Sequence, residues 1–209
     1  MSILTKLASA LGRGDEVPNQ VLAKEIATAE DQEGVQELVE NLSNPDKAIQ
    51  SDCIKVLYEI GSLNPDLIAP YVEAFIKLLS SRNNRLVWGA MTALGAIADQ
   101  RAADIAKQLN VITGATLEGS VITQDWGIRV LAMVAAKDSD HEKQIFAFLR
   151  TFLQNCPSKD LPRHAESCLV AVKASNRGEL LPILEARRPT LKLAQAKRLE
   201  QVIRKMNAL

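Results

Sequence analysis

The chain has 209 residues, enough for one large domain or an array of small units, and 47% hydrophobic with 24% charged content excludes a disordered chain. Lys and Arg number 25 against 25 Asp and Glu, so no global field draws the protein onto nucleic acid or an anionic membrane. Aromatic content is only 4%, and abundant Ala and Leu with few β-branched runs predict an all-α protein.

The opening stretch "SILTKLASALGRGDE" interleaves polar and apolar residues and lacks the apolar core of a secretion signal. No apolar run reaches the ~18 residues of a membrane span, so a cytoplasmic protein without a membrane partner is expected. "SILTKLASAL" and "PNQVLAKEIATAE" (18–30) predict helices around a Gly-Asp loop, and residues 1–30 are expected to cap the first unit of a repeat array.

A hydrophobic phrase then recurs: "VLYEIG" (56–61), "ALGAIA" (93–98), "VLAMVA" (130–135), "CLVAVK" (168–173) and "RLEQVI" (198–203). Its leucines, Leu57, Leu94, Leu131, Leu169 and Leu199, are 37, 37, 38 and 30 residues apart, the signature of stacked helical hairpins. Ile49, Cys53, Val56, Leu57 and Ile60, and likewise Leu86, Ala90, Ala93, Leu94 and Ile97, fall on one helical stripe. The residue four before the leucine is small in the first four units (Cys53, Ala90, Gly127, Ala165), which lets helices approach closely. A second amphipathic segment precedes each phrase, as in "VQELVENLS" (35–43), "YVEAFIKLLS" (71–80), "IFAFLRTFLQN" (145–155) and "LLPILEARR" (180–188).

Turn residues place boundaries at "SNPD" (43–46), "SLNPD" (62–66), "KDSDHEK" (137–143), "NCPSKDLP" (155–162) and "SNRGE" (175–179). The expected array is 31–209, divided near 31–65, 66–101, 102–138, 139–176 and 177–209. "TGATLEGSVITQD" (113–125) reads as a distorted first helix or an extended loop.

The stretch "LSNPDKAIQSDCIKVLYEIG" (42–61) resembles the HEAT repeat pattern of leucine, Asn/Asp-Pro turn, β-branched residue, small residue and leucine, and "LSSRNNRLVWGAMTALGAIA" (79–98) repeats it. The resemblance covers about residues 31–209. It implies a HEAT/armadillo-like fold: a right-handed α-α superhelix, or solenoid, of about five helical hairpins whose second helices line the concave side. Gln50 and Val87 stand where the family pattern carries a basic residue, so stacking is expected to rest on apolar burial.

Helical register turns Ser51, Trp88, Asp125 and Arg163 away from the leucine stripe, followed by Lys55, Thr92, Arg129 and Ser167, then Tyr58. Trp126 and His164 come one residue beyond the first row. Trp88, flanked by Gly89 and the Gly95-Ala96 pair, is expected to stand displayed over low surroundings, and Trp126 to compensate for Gly127. Tyr58, Trp88, Asp125, Trp126, Arg129 and Arg163 are therefore the candidate partner-binding residues, since exposed aromatics and arginines are enriched in binding hot spots.

Catalytic residues, metal ligands and cofactors are not expected: no nucleophile, zinc or phosphate-binding motif occurs, and Cys53, Cys156 and Cys168 have no metal-site spacing. His141 and His164 read as solvated or capping residues. The expected function is a non-enzymatic scaffold binding a protein partner on the concave face. The alternative is a nucleic-acid-binding protein resembling the DNA alkylation-repair glycosylases, which place Trp, Asp and Arg on a HEAT-like concave face. Against it, Lys55, Arg129 and Arg163 are opposed by Asp52, Glu59 and Asp125, where a DNA groove needs excess positive charge.

Charge is also polarised along the chain. Residues 1–60 hold 5 Lys/Arg against 11 Asp/Glu, and residues 150–209 hold 12 against 5. A monomer with weak head-to-tail self-association is expected, with Arg187, Arg188, Arg198 and Arg204 on the cationic side.

Overall fold

The computed structural model describes residues 2–209, and among these the regular structure is entirely helical. In chain order the α-helices are α1 (Val17–Ala29), α2 (Gln32–Glu40), α3 (Lys47–Leu63), α4 (Val72–Leu78), α5 (Asn84–Ile97) and α6 (Ala102–Ala106). They continue as α7 (Leu109–Glu118), α8 (Val121–Lys137), α9 (Ser139–Asn155), α10 (Leu161–Cys168), α11 (Leu181–Arg187) and α12 (Leu193–Asn207). The chain forms two compact units, one extending to Trp126 and one from Gly127 to Leu209.

Several helices start where a side chain replaces a missing backbone partner. Asp46 accepts from Ala48 N at 2.8 Å, Asn83 from Arg85 N at 3.1 Å, and Asp138 from Asp140 N and His141 N at 3.1 Å each. In the N-terminal unit, α3 packs between α1 and α5, while α2 and α4 lie against α3 and α5. The stripe Cys53, Val56, Leu57 and Ile60 on α3 and its counterpart Ala90, Ala93, Leu94 and Ile97 on α5 are wholly buried. In the C-terminal unit, α10 packs on α12, with α9 and α11 outside them.

Close approach of α3 and α5 depends on glycine. A Cβ on Gly89 would sit 2.6 Å from Ile54 Cγ1 and 3.2 Å from Ile54 Cγ2, and Ile54 is buried and β-branched. Gly114 in α7, by contrast, has nothing within 4 Å of its missing Cβ. Gly89→Ala is therefore expected to destabilise by about 1–2 kcal/mol, overpacking outweighing the ~1 kcal/mol gain in helix propensity. Gly114→Ala is expected to stabilise by up to about 1 kcal/mol. Urea denaturation of the two variants checks both signs.

Repeat contacts also carry polar links. Asn83 Nδ2 donates to Gln50 Oε1 at 3.5 Å across 33 residues, while Gln50 Nε2 donates to Asn44 O at 2.7 Å. Gln100 to Asp66 and Asn176 to Glu142, both 2.7 Å, span 34 residues each. Stacking is thus not apolar alone: Gln50, long and amide-bearing, bridges its own turn and the next helix cap.

Three segments differ from the sequence reading. Residues 113–125 are not an extended loop, because α7 runs through Gly114 to Glu118 and α8 begins at Val121. Thr113 and Thr116 bond back to Leu109 O (2.8 Å) and Ile112 O (2.7 Å), so the α7 backbone keeps its pattern despite polar residues. "SILTKLASAL" forms only a 3-10 turn, Ile3–Lys6. The reason is tertiary: Ala8 N donates to Asn19 Oδ1 of α1 at 2.9 Å and Ser9 N to Asp52 Oδ2 of α3 at 2.7 Å, which removes both donors from a helical ladder. Finally, α10 stops at Cys168, so Leu169 lies in a 3-10 turn and is half-buried. Asn176 competes for this backbone, accepting from Lys173 N at 2.7 Å and donating to Ala171 O at 3.0 Å.

Candidate functional site

In the N-terminal unit a charged and aromatic cluster joins the turn before α1 to one face of α3 and α5. Lys55, whose side chain is only 6% exposed, pairs with Glu59 Oε1 at 2.6 Å and Glu16 Oε2 at 3.0 Å. Burial pulls the Lys55 pKa down, but hydrogen bonds to Glu59, Tyr58 and Glu16 outweigh it, and the net shift is upward. Burial likewise raises Glu16, yet hydrogen bonds from Lys55 and Arg85 hold its carboxyl below the usual value. Glu16 thereby ties α3 and α5 together, since it pairs with Arg85 as well.

Tyr58 and Trp88 stand on this cluster. Their ring centroids are 5.6 Å apart at 51°, Lys55 Nζ lies 4.9 Å from the Tyr58 ring, and the Arg85 guanidinium lies 5.4 Å from the Trp88 ring. Both rings are half-buried. Trp88 is neither a core residue nor freely displayed: it is braced on one side by an aromatic ring and on another by a cation. Its small neighbours are not open ground. Ile54 fills the space at Gly89, and the Trp126 ring lies over Gly95, so Trp126 fills the space left at Gly95 on α5.

Asp125 is half-buried on α8. In the C-terminal unit, Arg129 of α8 and Arg163 of α10 line one open cleft of about 530 Å³. Arg198 of α12 also lines it, a residue that sequence reasoning assigns to the cationic end and not to the groove. The signal for it is in the spacing: 129, 163 and 198 are 34 and 35 apart, close to the 33 and 34 residues that separate the polar links between repeats.

His164 corrects the expectation of a solvated or capping residue. It is 1% exposed, with its ring edge-on to Phe152 at 5.1 Å between centroids. Burial, then the Arg163 charge, pushes its pKa down to about 4. His141 does sit at a cap, its Nδ1 3.0 Å from Asp138 Oδ1. Arg187, expected on an exposed cationic surface, is instead turned inward, donating to Leu153 O at 2.7 Å and Ser158 Oγ at 3.3 Å.

All three cysteines are free and buried, and burial pushes the Cys53 and Cys168 thiols up to about 12, which leaves them protonated and poor nucleophiles. Among the described residues no group of three His, Cys, Asp or Glu side chains is placed to hold a metal ion. No helix among them is long and apolar enough to cross a membrane.

No protein-family model and no curated protein matches the chain. Solved structures do. An engineered protein superposes with a TM-score of 0.69 at 20% identity, covering 100% of this chain and 98% of that one. A designed armadillo repeat protein in complex with the peptide (KR)4 gives 0.66 at 15% identity, covering 98% and 99%. Computationally designed armadillo repeat proteins for modular peptide recognition give 0.63 at 15%, covering 98% of each chain. The chain has the helical-repeat fold of the HEAT/armadillo-like α-solenoids.

Proposed function

We propose that the protein is a non-enzymatic binding scaffold that takes up an extended segment of a partner protein on the second-helix faces of its repeats. In this reading residues 1–30 cap an array of five helical pairs, and Tyr58, Trp88, Asp125, Trp126, Arg129 and Arg163 contribute to binding. The observation that carries it is the Trp88 arrangement. A half-buried tryptophan braced by Tyr58 and Arg85 is a rigid, partly solvated apolar platform, and such anchors dominate interface energetics. The fold adds support, because designed armadillo repeat proteins of this architecture recognise peptides.

The test is a selection from a random peptide library, with enriched sequences measured against wild type and Trp88→Ala. Losing the contacts with Tyr58 and Arg85 is expected to cost about 1–2 kcal/mol of stability, leaving the variant folded at 25 °C. Peptide affinity is expected to fall tenfold or more, the hot-spot range. Peptides that bind both proteins equally would place recognition elsewhere.

A further inference from the structure

The turn before α1 places one acidic side chain between α3 and α5, which pack on each other. Glu16 Oε2 lies 3.0 Å from Lys55 Nζ of α3, and Oε1 of the same carboxylate accepts from the Arg85 guanidinium of α5. The start of α1 does not require this placement. Glu16 stands at the N-cap position, yet its side chain makes no capping hydrogen bond, and Asp15 Oδ1 accepts from Val17 N at 3.0 Å instead. The carboxylate therefore comes from a connecting segment, while both cations that hold it come from the helices carrying the Tyr58–Trp88 pair.

The two cations keep their places when Glu16 leaves. Buried Lys55 is held from its own helix by Glu59 Oε1 at 2.6 Å. The Arg85 guanidinium lies 5.4 Å from the Trp88 ring, and its Nε is buried without a hydrogen-bond partner. Glu16, by contrast, is 42% exposed on its side chain, so a rotation into solvent uncovers an ammonium and a guanidinium beside an aromatic ring. Along an extended segment, residues i and i+2 face the same way about 7 Å apart, a reach comparable to the separation of the guanidinium and the ring. We propose that Glu16 is an internal stand-in for an acidic residue of the partner: Lys55 and Arg85 bind a side-chain carboxylate of an extended segment, and an apolar residue two positions along rests on Trp88 and Tyr58. The proposal rests on the binding-scaffold reading and gives its ligand chemistry. Because Glu16 is tethered beside the cations, it competes with every such segment and lowers its affinity without abolishing it.

The probe is the peptide Ser-Glu-Ser-Leu-Ser, acetylated and amidated so that the glutamate is its only charge, titrated against the indole N–H NMR resonance of Trp88. The Trp126 indole, whose ring lies over Gly95, is the internal reference. The expected result is a saturable shift of Trp88, with weaker binding of the analogues carrying Gln or Lys in place of Glu. Arg85→Gln should weaken binding by about 3- to 10-fold. Glu16→Gln should tighten it by about 2- to 5-fold, a gain that a misfolded variant does not give. Unchanged or weaker binding by Glu16→Gln, tighter binding of the Lys analogue, or an unmoved Trp88 at millimolar peptide overturns the proposal. If library-selected peptides still shift Trp88, the scaffold reading survives that failure; if they too leave it unmoved, both readings fall.

Discussion

Leu94→Ala is expected to destabilise the protein by about 2–5 kcal/mol, whereas Leu169→Ala is expected to cost less than about 1 kcal/mol. The two leucines hold the same place in the repeated phrase, so sequence alone treats them as equals. Leu94 is wholly buried, on a helix whose glycine at 89 admits Ile54 from α3, and its removal leaves a cavity between layers that cannot collapse. Leu169 sits past the end of α10, half-buried at the edge of the arginine cleft, where solvent fills the space a shorter side chain leaves. Urea denaturation measures both. Equal losses would show that the fourth hairpin is as regular as the second and that Asn176 does not interrupt α10.

Acid is expected to destabilise the C-terminal unit well before it titrates the paired carboxylates. His164 has a pKa of about 4 in the fold against 6.5 when exposed, so the folded state favours the neutral ring. Its contribution is complete above pH 6.5 and is lost as pH falls toward 4, because the unfolded chain takes up the proton first. The loss amounts to about 2 kcal/mol at pH 5 and about 3 kcal/mol at pH 4. The carboxyls held low, Asp15, Glu16, Asp104 and Asp138, act in the same direction but only below their ordinary values of 3.8 to 4.5. Between pH 6.5 and 5 the slope therefore belongs to His164 among these shifted groups. Urea midpoints at pH 7 and pH 5 should differ for wild type and converge for His164→Leu. A wild type equally stable at both values would mean that the ring reaches solvent.

The repeat is legible because stacking imposes it. Each hairpin must bury the same stripe against its neighbours, so Leu57 and Leu94 recur at a fixed interval and both are buried. What sequence does not reveal depends on which side chain of another helix fills a given space. Gly89 and Gly95 read as open ground around Trp88, yet Ile54 from α3 and Trp126 from α8 occupy them. His164 reads as solvated because its cover, Phe152, belongs to the preceding helix. Arg187 reads as a surface cation, but the carbonyl of Leu153 near the end of α9 draws it inward. Arg198 escapes assignment to the groove because its repeat phrase is shifted: Leu199 comes 30 residues after Leu169, while Arg198 keeps the 35-residue interval from Arg163.

A scaffold of this kind binds its partner on the second helices of the repeats. The most direct measurement is a backbone amide NMR map of the protein with a library-selected peptide. Shifts are expected to concentrate on α3 and α5 around Tyr58 and Trp88 and on α8 and α10 around Arg129 and Arg163. A footprint confined to the first helices α2, α4, α9 and α11 would contradict it.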